Sequence, residues 1–393
     1  MIKHILTLIW NKKGSNTLLM IEILLAFLVL FAVLSFVFFN MDRLSEPLGF
    51  ETENRKYIRY GNLDHIEGDS IRNLAVRELK RSLQDLELVE SVSLSHDVSP
   101  FAGSNWCSGS DDMGFNIEAC YSVVDYDFVK TNGMKIVAGR DFKEEDMAAT
   151  YPVLLANKTF MDDTFGDKDM IDSIIGYNGA KRQIIGVVEE YKYDGEFAES
   201  QNRILLLSTS KNSSWARLTN AYIKLDPSAD VAYEEKISKI VQSVVKTTNF
   251  VIQDAPLLRK RANLDTWIPM IALLSICAFL CLNVALGLFG VLSYSISQRK
   301  AEVGLRRAMG AHAGSIIQQF TMEVVILAGM AVLIGVIFAI QIPLLNVMDV
   351  ENSIFFRGIL YATIIILVVV TLCALYPSIQ ASRIHPATAL HED

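Results

Sequence analysis

Four long apolar stretches constrain this chain more than any other feature. They lie at residues 17–40, 266–297, 316–348 and 358–376. Each is long enough for a helix to cross a bilayer, because the hydrocarbon core takes about 20 helical residues. Charged residues make up 20% of the chain and fall almost entirely outside these stretches. The sequence therefore predicts a membrane protein with four transmembrane α-helices in contact with lipid.

The first stretch is predicted to be a retained span rather than a signal peptide. Its apolar run is longer than the about 7 to 15 residues of a signal-peptide core, and no small-residue cleavage site follows it. We expect the one acid inside it, Glu22, to reach back toward Lys12 and Lys13 rather than to line a transport path. Apolar residues at helical spacing in residues 1–16 predict an amphipathic helix in the membrane interface.

A polar segment at residues 41–265 follows the first span and holds most of the charge, with acids in excess. Such a surface disfavours nucleic acid as a partner. Helical periodicity at residues 70–88 and 231–247 and strand alternation at 89–98 predict a large α+β domain inserted between the first and second spans. Four leucines of the first helix are expected in phase on its core face: Leu74, Leu79, Leu83 and Leu86.

Two of the five cysteines, Cys107 and Cys120, lie in the polar segment. They either form a disulfide or are two unrelated small residues, because a pair alone is a weak pattern. The other three lie in the apolar stretches and are interpreted as packing residues: Cys277, Cys281 and Cys373. Three residues of the second span, Asn283, Gly287 and Gly290, share a face that we interpret as a helix-packing surface rather than a solute pore.

A short basic loop at residues 298–315 separates the second and third spans. Its pattern predicts a helix that ends at Gly310. The predicted apolar stripe, expected to face the membrane or the neighbouring spans, is Ala301, Leu305, Ala308 and Met309. The residues expected to point away from it are Arg299, Glu302 and Arg306. On charge alone, the loop could equally be a cationic anchor that keeps this side in the cytoplasm.

Topology follows from the distribution of Lys and Arg. Basic residues flank the first span at the N-terminus and fill the central loop, whereas the short loop at residues 349–357 holds only Arg357. The positive-inside rule then places both termini, the loop and the tail at residues 377–393 in the cytoplasm, with residues 41–265 outside. For a bacterium this is a multi-pass protein of the inner membrane.

The order of residues in the central loop resembles one known family. The run Glu302-Val303-Gly304-Leu305-Arg306-Arg307-Ala308-Met309-Gly310-Ala311, followed by Gln319-Phe320 and Glu323, is similar to the loop between the second and third spans of FtsX/MacB-like ABC transporter permeases. The family's outer domain also resembles residues 152–160, Phe165-Gly166 and residues 183–188, and its C-terminus resembles residues 376–390. The resemblance implies that five loop residues couple the chain to an ATPase: Glu302, Gly304, Arg306, Arg307 and Gly310.

The same resemblance implies a permease subunit that transmits ATP-driven motion to its outer domain. Its implied partners are a cytoplasmic ABC ATPase, a second permease subunit in a homodimer or heterodimer, and a periplasmic adaptor. Its implied output is efflux of a peptide, antibiotic or lipid-linked cargo, or release of lipoproteins. The alternative is an FtsX-like signalling subunit that activates an outer partner such as a cell-wall hydrolase. A third hypothesis is a membrane-anchored binding or sensor domain.

Catalytic motifs do not appear in the sequence. It has no phosphate-binding Gly-x-x-x-x-Gly-Lys-Ser/Thr loop, no His-Glu-x-x-His and no Gly-x-Ser-x-Gly. We therefore expect no enzyme activity, no cofactor and no metal site in these residues, and we expect ATP to bind to a partner subunit.

Overall fold

The computed structural model describes residues 13–61, 63–96, 100–101, 103, 105–112, 114–177, 179–209, 218–345 and 350–383. Most of the predicted interfacial helix and the last ten residues of the tail lie outside these ranges. The chain divides into two compact units. The membrane unit consists of Met1–Asp42 and Trp267–Asp393. The second unit, Arg43–Thr266, is named the outer unit after its predicted location.

The described residues form helices and strands that we number in chain order. They are α1 (Lys13–Ser45), β1 (Arg55–Arg59), α2 (Asp69–Gln84), β2 (Val89–His96), β3 (Cys107–Asp112), β4 (Phe115–Val124), α3 (Phe128–Thr131), β5 (Ile136–Gly139), β6 (Val153–Asn157), α4 (Lys158–Phe165), β7 (Ile174–Tyr177), β8 (Ala180–Val188), β9 (Arg203–Leu207), β10 (Asn220–Leu225), α5 (Val231–Val245), β11 (Val251–Asp254), α6 (Ala255–Gln298), α7 (Lys300–Ala308), α8 (Ala313–Ala339), α9 (Gln341–Leu344) and α10 (Asn352–Ser382).

Four helices of the described chain, α1, α6, α8 and α10, are long and apolar enough to cross a membrane. They correspond to the four predicted spans, but most extend beyond the predicted ends. Pro377, expected to close the last span, lies inside α10, which continues to Ser382. A proline inside a helix costs about 3 kcal/mol. Here the residues around it are buried by packing, with Ala374, Ser378 and Ala381 all on the buried side, and this packing offsets the cost.

Glycines let the other spans approach α1 closely within the membrane unit. A Cβ atom at Gly335 of α8 would collide with the ring of Phe27, and one at Gly358 of α10 would collide with the hydroxyl of Ser35. On α6, a Cβ atom at Gly287 would lie 2.9 Å from a carboxylate oxygen of Glu22. Small residues at these positions allow the backbone contacts on which helix association in lipid depends.

The outer unit is built on one mixed sheet. Its described strands run in the order β11-β1-β10-β2-β4-β9-β6-β8-β5, with β3 beside β4 and β7 beside β8. The pairs β4–β9 and β6–β8 are parallel and the other pairs are antiparallel. The segments that resemble the family's outer domain form β6, α4 with its end at Phe165-Gly166, and β8. The predicted fold class, four spans with an α+β insert, is therefore correct.

Helices α2 and α5 cover one face of the sheet, and the phase of α2 differs from the prediction. Its buried residues are Val76, Leu79, Lys80 and Leu83, whereas Leu74 is exposed. The prediction for Leu74 was wrong because the buried side follows i, i+3 and i+4 spacing from Val76. Ser93 and Ser95 of β2 are also buried, since this strand lies in the middle of a sheet covered on both faces.

The two cysteines of the outer unit lie directly opposite each other in the antiparallel pair β3–β4. Their sulfur atoms form a disulfide in the structure. The disulfide cross-links the two strands of the β3–β4 hairpin, beside a cleft of about 570 Å³. The cysteines of the spans, Cys277, Cys281 and Cys373, are free.

A buried lysine joins α2 to the loop after β4. The Lys80 ammonium lies 2.8 Å from Asp125 Oδ2 and 2.5 Å from Asp127 Oδ2, and its side chain is 5% exposed. Burial raises the pKa of Asp125 to about 6, against the opposing effect of Lys80. Two carboxylates thus depend on one ammonium group that water barely reaches.

Removing this ammonium should open the outer unit locally. We expect Lys80→Met to cost about 3 kcal/mol, because breaking a buried ion pair leaves an uncompensated charge. That cost corresponds to roughly a hundredfold faster amide hydrogen exchange in α2 and β4 of the full chain in detergent. The matched control is Arg81→Met on the same helix, because Arg81 and its partner Asp85 are both exposed and such pairs contribute little.

The loss of stability caused by Lys80→Met should also depend on pH. The folded chain holds the Asp125 proton to a higher pH than the unfolded chain does, so this group favours folding less as pH rises through about 6. Loss of Lys80 raises the pKa of Asp125 further, and the difference between Lys80→Met and wild type should therefore be larger at about pH 8 than at about pH 5. An equal difference at both pH values, or an equal effect of Arg81→Met, would contradict this assignment.

Candidate coupling loop

The segment between α6 and α8 contains a short helix with defined ends. The chain breaks helical geometry at Arg299, and α7 then runs from Lys300 to Ala308. Gly310 has φ +91°, and its amide donates to Arg307 O at 3.1 Å while Ala311 N donates to Arg306 O at 3.0 Å. These two bonds form a Schellman cap, in which glycine is favoured because its φ is positive. Gly310 thus ends the helix, as its position in the sequence predicts.

Arg299 fixes the start of α7 to α8. Its guanidinium makes two parallel bonds to Glu323, at 3.1 and 3.3 Å, and the two side chains are only 12% and 15% exposed. Bidentate Arg–carboxylate pairs hold geometry as well as charge. Arg299 was expected to point away from the apolar stripe, and no partner was predicted for it. The spacing between Arg299 and Glu323 is too long for any local pattern to show the pair.

The two arginines of α7 also make hydrogen bonds within the loop or to α8. Arg306 pairs with Glu302 one turn earlier and donates to Gln319 Oε1 of α8 at 2.5 Å. Arg307 donates to Ala311 O at 3.2 Å. Its Nε is buried and has no partner among the described residues. The arginines therefore fasten the loop to itself and to α8, and they do not form a free basic surface.

The side of α7 that packs on the spans is not the predicted apolar stripe. Val303 and Gly304 are buried, and Val303 packs with Ile296 of α6, Phe320 of α8 and Ala381 of α10. The predicted apolar stripe is instead open: Leu305 is 52% exposed and Met309 is 72% exposed. We call Ala301, Leu305, Ala308 and Met309 the exposed apolar face, since all four are exposed. The stripe does not pack on the neighbouring spans, because Val303 and Gly304 fill that contact. The alternative, that it faces the membrane, stays a prediction.

This arrangement leaves one apolar side of α7 open to contact with a partner or with lipid. In the described part of the chain, no group of three or more His, Cys, Asp or Glu residues could hold a metal ion. Within the loop, all of the arginines and the acid Glu302 are engaged in bonds that shape the helix. The exposed residues of the loop include the apolar Leu305 and Met309 and, beside them, the charged Lys300 and Glu302.

Of the three small or polar residues singled out in the second span, one contacts another span. Gly287 lies against Glu22 of α1. Asn283 is exposed and donates to Phe279 O of its own helix at 2.9 Å, and a Cβ atom at Gly290 would meet nothing within 4 Å. Asn283 and Gly290 therefore leave an open surface on α6. The side chains toward which Glu22 was expected to reach, Lys12 and Lys13, are not among those that the structure describes.

The Arg299–Glu323 pair should control how firmly α7 is held. We expect Glu323→Ala to lower the free energy of opening of α7 by about 2 kcal/mol, because a charged, largely buried hydrogen-bonding partner is lost. Hydrogen exchange of the α7 amides in the full chain should then be roughly 30-fold faster. Glu302→Ala is the control, because Glu302 is half exposed and its i,i+4 pair with Arg306 contributes little. Unchanged exchange in Glu323→Ala would show that packing of Val303 alone holds the helix.

Comparison with protein families gives two matches. Residues 273–386 match the model of the FtsX-like permease C-terminal domain, and residues 18–240 match that of the MacB-like periplasmic core domain. The first match contains the whole coupling loop, and the second contains all of the sheet except β11.

Individual relatives are distant. The macrolide export ATP-binding/permease protein MacB of Neisseria gonorrhoeae is 22% identical over 68% of this chain and 42% of its own length. The uncharacterised ABC transporter permease YvrN of Bacillus subtilis is 22% identical over 68% of each chain. Among solved structures, the periplasmic region of MacB from Actinobacillus actinomycetemcomitans matches at a TM-score of 0.40 and 16% identity, over 56% of this chain and 97% of that one. The match to the Neisseria protein thus leaves more than half of that relative uncovered.

Proposed function

Because this chain belongs to the FtsX/MacB-like family of ABC transporter permeases, we propose that it is the membrane subunit that transmits the motion of a separate ATPase to its outer unit. The ATP site is on that partner, since the sequence carries no phosphate-binding loop. The chain itself binds no cofactor in this proposal.

The proposal rests on the exposed apolar face of α7, because the rest of this helix is fixed by hydrogen bonds and packing. Leu305 and Met309 are open, while Arg299 and Arg306 fix the helix to α8 through Glu323 and Gln319. An apolar face next to charged residues suits a groove on a partner protein. Because α7 is bonded to α8 and packed against α6, a partner that moves α7 also moves the spans.

A second permease copy completes the proposed assembly. Asn283 and Gly290 leave an open polar and small-residue surface on α6, which is the type of surface through which spans associate in lipid. We propose a dimer, of identical or related chains, with two ATPase subunits. Its location is the bacterial inner membrane.

The proposed output is mechanical work on a cargo outside the membrane. The relatives named MacB export macrolides, and by extension we propose efflux of a peptide, antibiotic or lipid-linked cargo, or release of a lipoprotein, with a periplasmic adaptor as a further partner. Activation of a cell-wall hydrolase is the competing output. Export predicts loss of drug or lipoprotein handling in a deletion strain, whereas signalling predicts a defect in cell division or wall turnover.

Orientation in the membrane can be tested by labelling single cysteines. In a variant with Cys277, Cys281 and Cys373 replaced by Ala, a cysteine at Ser228 of the outer unit should react with an impermeant maleimide in intact spheroplasts. A cysteine at Ser315 beside α7 should react only after lysis, because the basic loop holds this side in the cytoplasm. Both positions are exposed, so burial does not distinguish them. Labelling of Ser315→Cys without lysis would reverse the topology.

Docking of the ATPase can be tested at the exposed apolar face. We expect Leu305→Asp to weaken co-purification of the co-expressed ABC ATPase of the same organism by about 30-fold, because truncating an interface anchor costs about 2 kcal/mol or more. ATP turnover of the reconstituted complex should fall with it. The bonds of Arg299, Arg306 and Arg307 remain, so the loop should keep its shape.

Ser315→Asp is the matched control, since it adds the same charge at an exposed position at the end of the loop, outside the exposed apolar face. It should bind and stimulate the ATPase as the wild type does. If Leu305→Asp inserts normally and binds the ATPase with undiminished affinity, the face contacts lipid or solvent, and the loop acts only as a cationic anchor.

A further inference from the structure

The loop between β8 and β9 contacts the ends of two membrane-spanning helices within the outer unit. We call residues 191–199 the clasp loop. The end of α1 and the residues after it, from Arg43 onward, belong to the outer unit, and so does the start of α6 up to Thr266. Both lie against this one loop through charged side chains.

Lys192 binds the end of α1. Its side chain is 1% exposed, and its ammonium lies 2.7 Å from Glu46 Oε2. It also donates to Arg43 O at 2.5 Å and to Glu196 O at 3.3 Å. The ammonium thus has three acceptors, two of them on residues 43–46 and one in the loop itself. A lysine this deeply buried is retained only where such partners are in place.

Two further bonds strengthen this side of the clasp. The backbone N–H of Lys192 donates to Leu48 O at 2.9 Å. Arg43 pairs with Glu199 at 3.1 Å, at the other end of the loop. The end of α1 is therefore held along the length of the loop and not at one point.

Glu196 binds the start of α6. One of its carboxylate oxygens accepts from Arg259 Nε at 3.0 Å, and the other accepts from Asn263 Nδ2. Arg259 and Asn263 are four residues apart, so they lie on one face of the helix. The Glu196 side chain is 13% exposed. One carboxylate therefore holds a full turn of α6.

The clasp loop is also fastened to the sheet. Asp194 Oδ2 lies 3.0 Å from the guanidinium of Arg203 on β9, whose side chain is 4% exposed. The same guanidinium lies over the ring of Tyr193, 5.0 Å from its centroid. The loop thus has three attachments, to the end of α1, to the start of α6 and to β9.

We propose that the clasp loop positions both helix ends, with Lys192 and Glu196 as its positioning residues, so that displacement of either helix reaches the sheet as one movement. This inference rests on the proposed transmission of motion, because a link of this kind matters only where the helices carry force. The buried ammonium makes the link all-or-none. If α1 left its place, Lys192 would lose two of its three acceptors inside the protein, and intermediate positions are therefore costly.

The test measures distance in the full chain without any ATPase. Nitroxide labels are placed on Ser45 and Asp265, both exposed, in the chain whose free cysteines are replaced by Ala, and the chain is reconstituted in lipid nanodiscs. Pulsed EPR should give one narrow distance distribution for the wild-type clasp. Lys192→Met and Glu196→Ala should each lose the single narrow peak, because each frees one helix end from the loop.

Three controls separate positioning from general loss of structure. Glu196→Gln keeps one acceptor oxygen for Arg259, and its amide N–H can donate to Asn263 Oδ1 once the Asn263 amide rotates, so this variant should restore the narrow peak. The double variant Lys192→Met, Glu196→Ala should be at least as broad as the broader single variant, because each substitution frees a different helix end from the loop. A label pair on Glu90 of β2 and Lys181 of β8, both exposed, should keep its distribution in every variant.

A narrow Ser45–Asp265 peak in both single variants would overturn the inference, and so would equal broadening of the pair within the sheet. If Lys192→Met fails to fold, Glu196→Ala and Glu196→Gln decide the matter alone. Leu305→Asp should leave the narrow peak in place. The clasp therefore stands or falls separately from the docking of an ATPase, which this experiment does not involve.

Discussion

The bidentate pair between Arg299 and Glu323 is the interaction on which the proposed mechanism depends. It joins the start of α7 to α8 with both side chains largely removed from water. Without it, an arginine at the membrane boundary would seek water, and α7 would be attached by the packing of Val303 alone. With it, the helix cannot tilt freely, and its exposed apolar face keeps one direction. A partner that binds this face therefore acts on the spans and not on a flexible loop.

The same physical rule operates in the outer unit. Lys80 and Lys192 are both buried, and each binds oxygen acceptors on a segment remote from it in sequence. Such contacts contribute less to net stability than to the choice of one geometry, since breaking one partner costs more than the intact pair gains. In a protein proposed to transmit motion, a single geometry matters because flexible contacts between segments would absorb the displacement of a helix. Charged clusters thus lie where the proposed mechanism requires separate segments to move together.

Periodicity and composition were sufficient to predict the architecture. They could not predict which residues far apart in sequence form pairs. The four spans, the insert between the first two, the cap at Gly310 and the stripe on α7 all follow from local patterns that depend on neighbours in sequence. The orientation of that stripe does not, because it is decided by whether Val303 or Leu305 fits better against Phe320 and Ala381. The pair of Arg299 with Glu323 and the clasp at Lys192 join residues far apart in sequence, and no spacing rule reveals them.

Transmission itself is tested most directly by following the outer unit while the ATPase turns over. Fluorophores at Ser315, beside α7, and at Ser228, in the outer unit, would report their separation in single reconstituted complexes. The proposed mechanism predicts a different distribution of energy transfer with ATP and vanadate than with no nucleotide. An unchanged distribution, in complexes shown to hydrolyse ATP, would contradict the claim that motion passes through this chain.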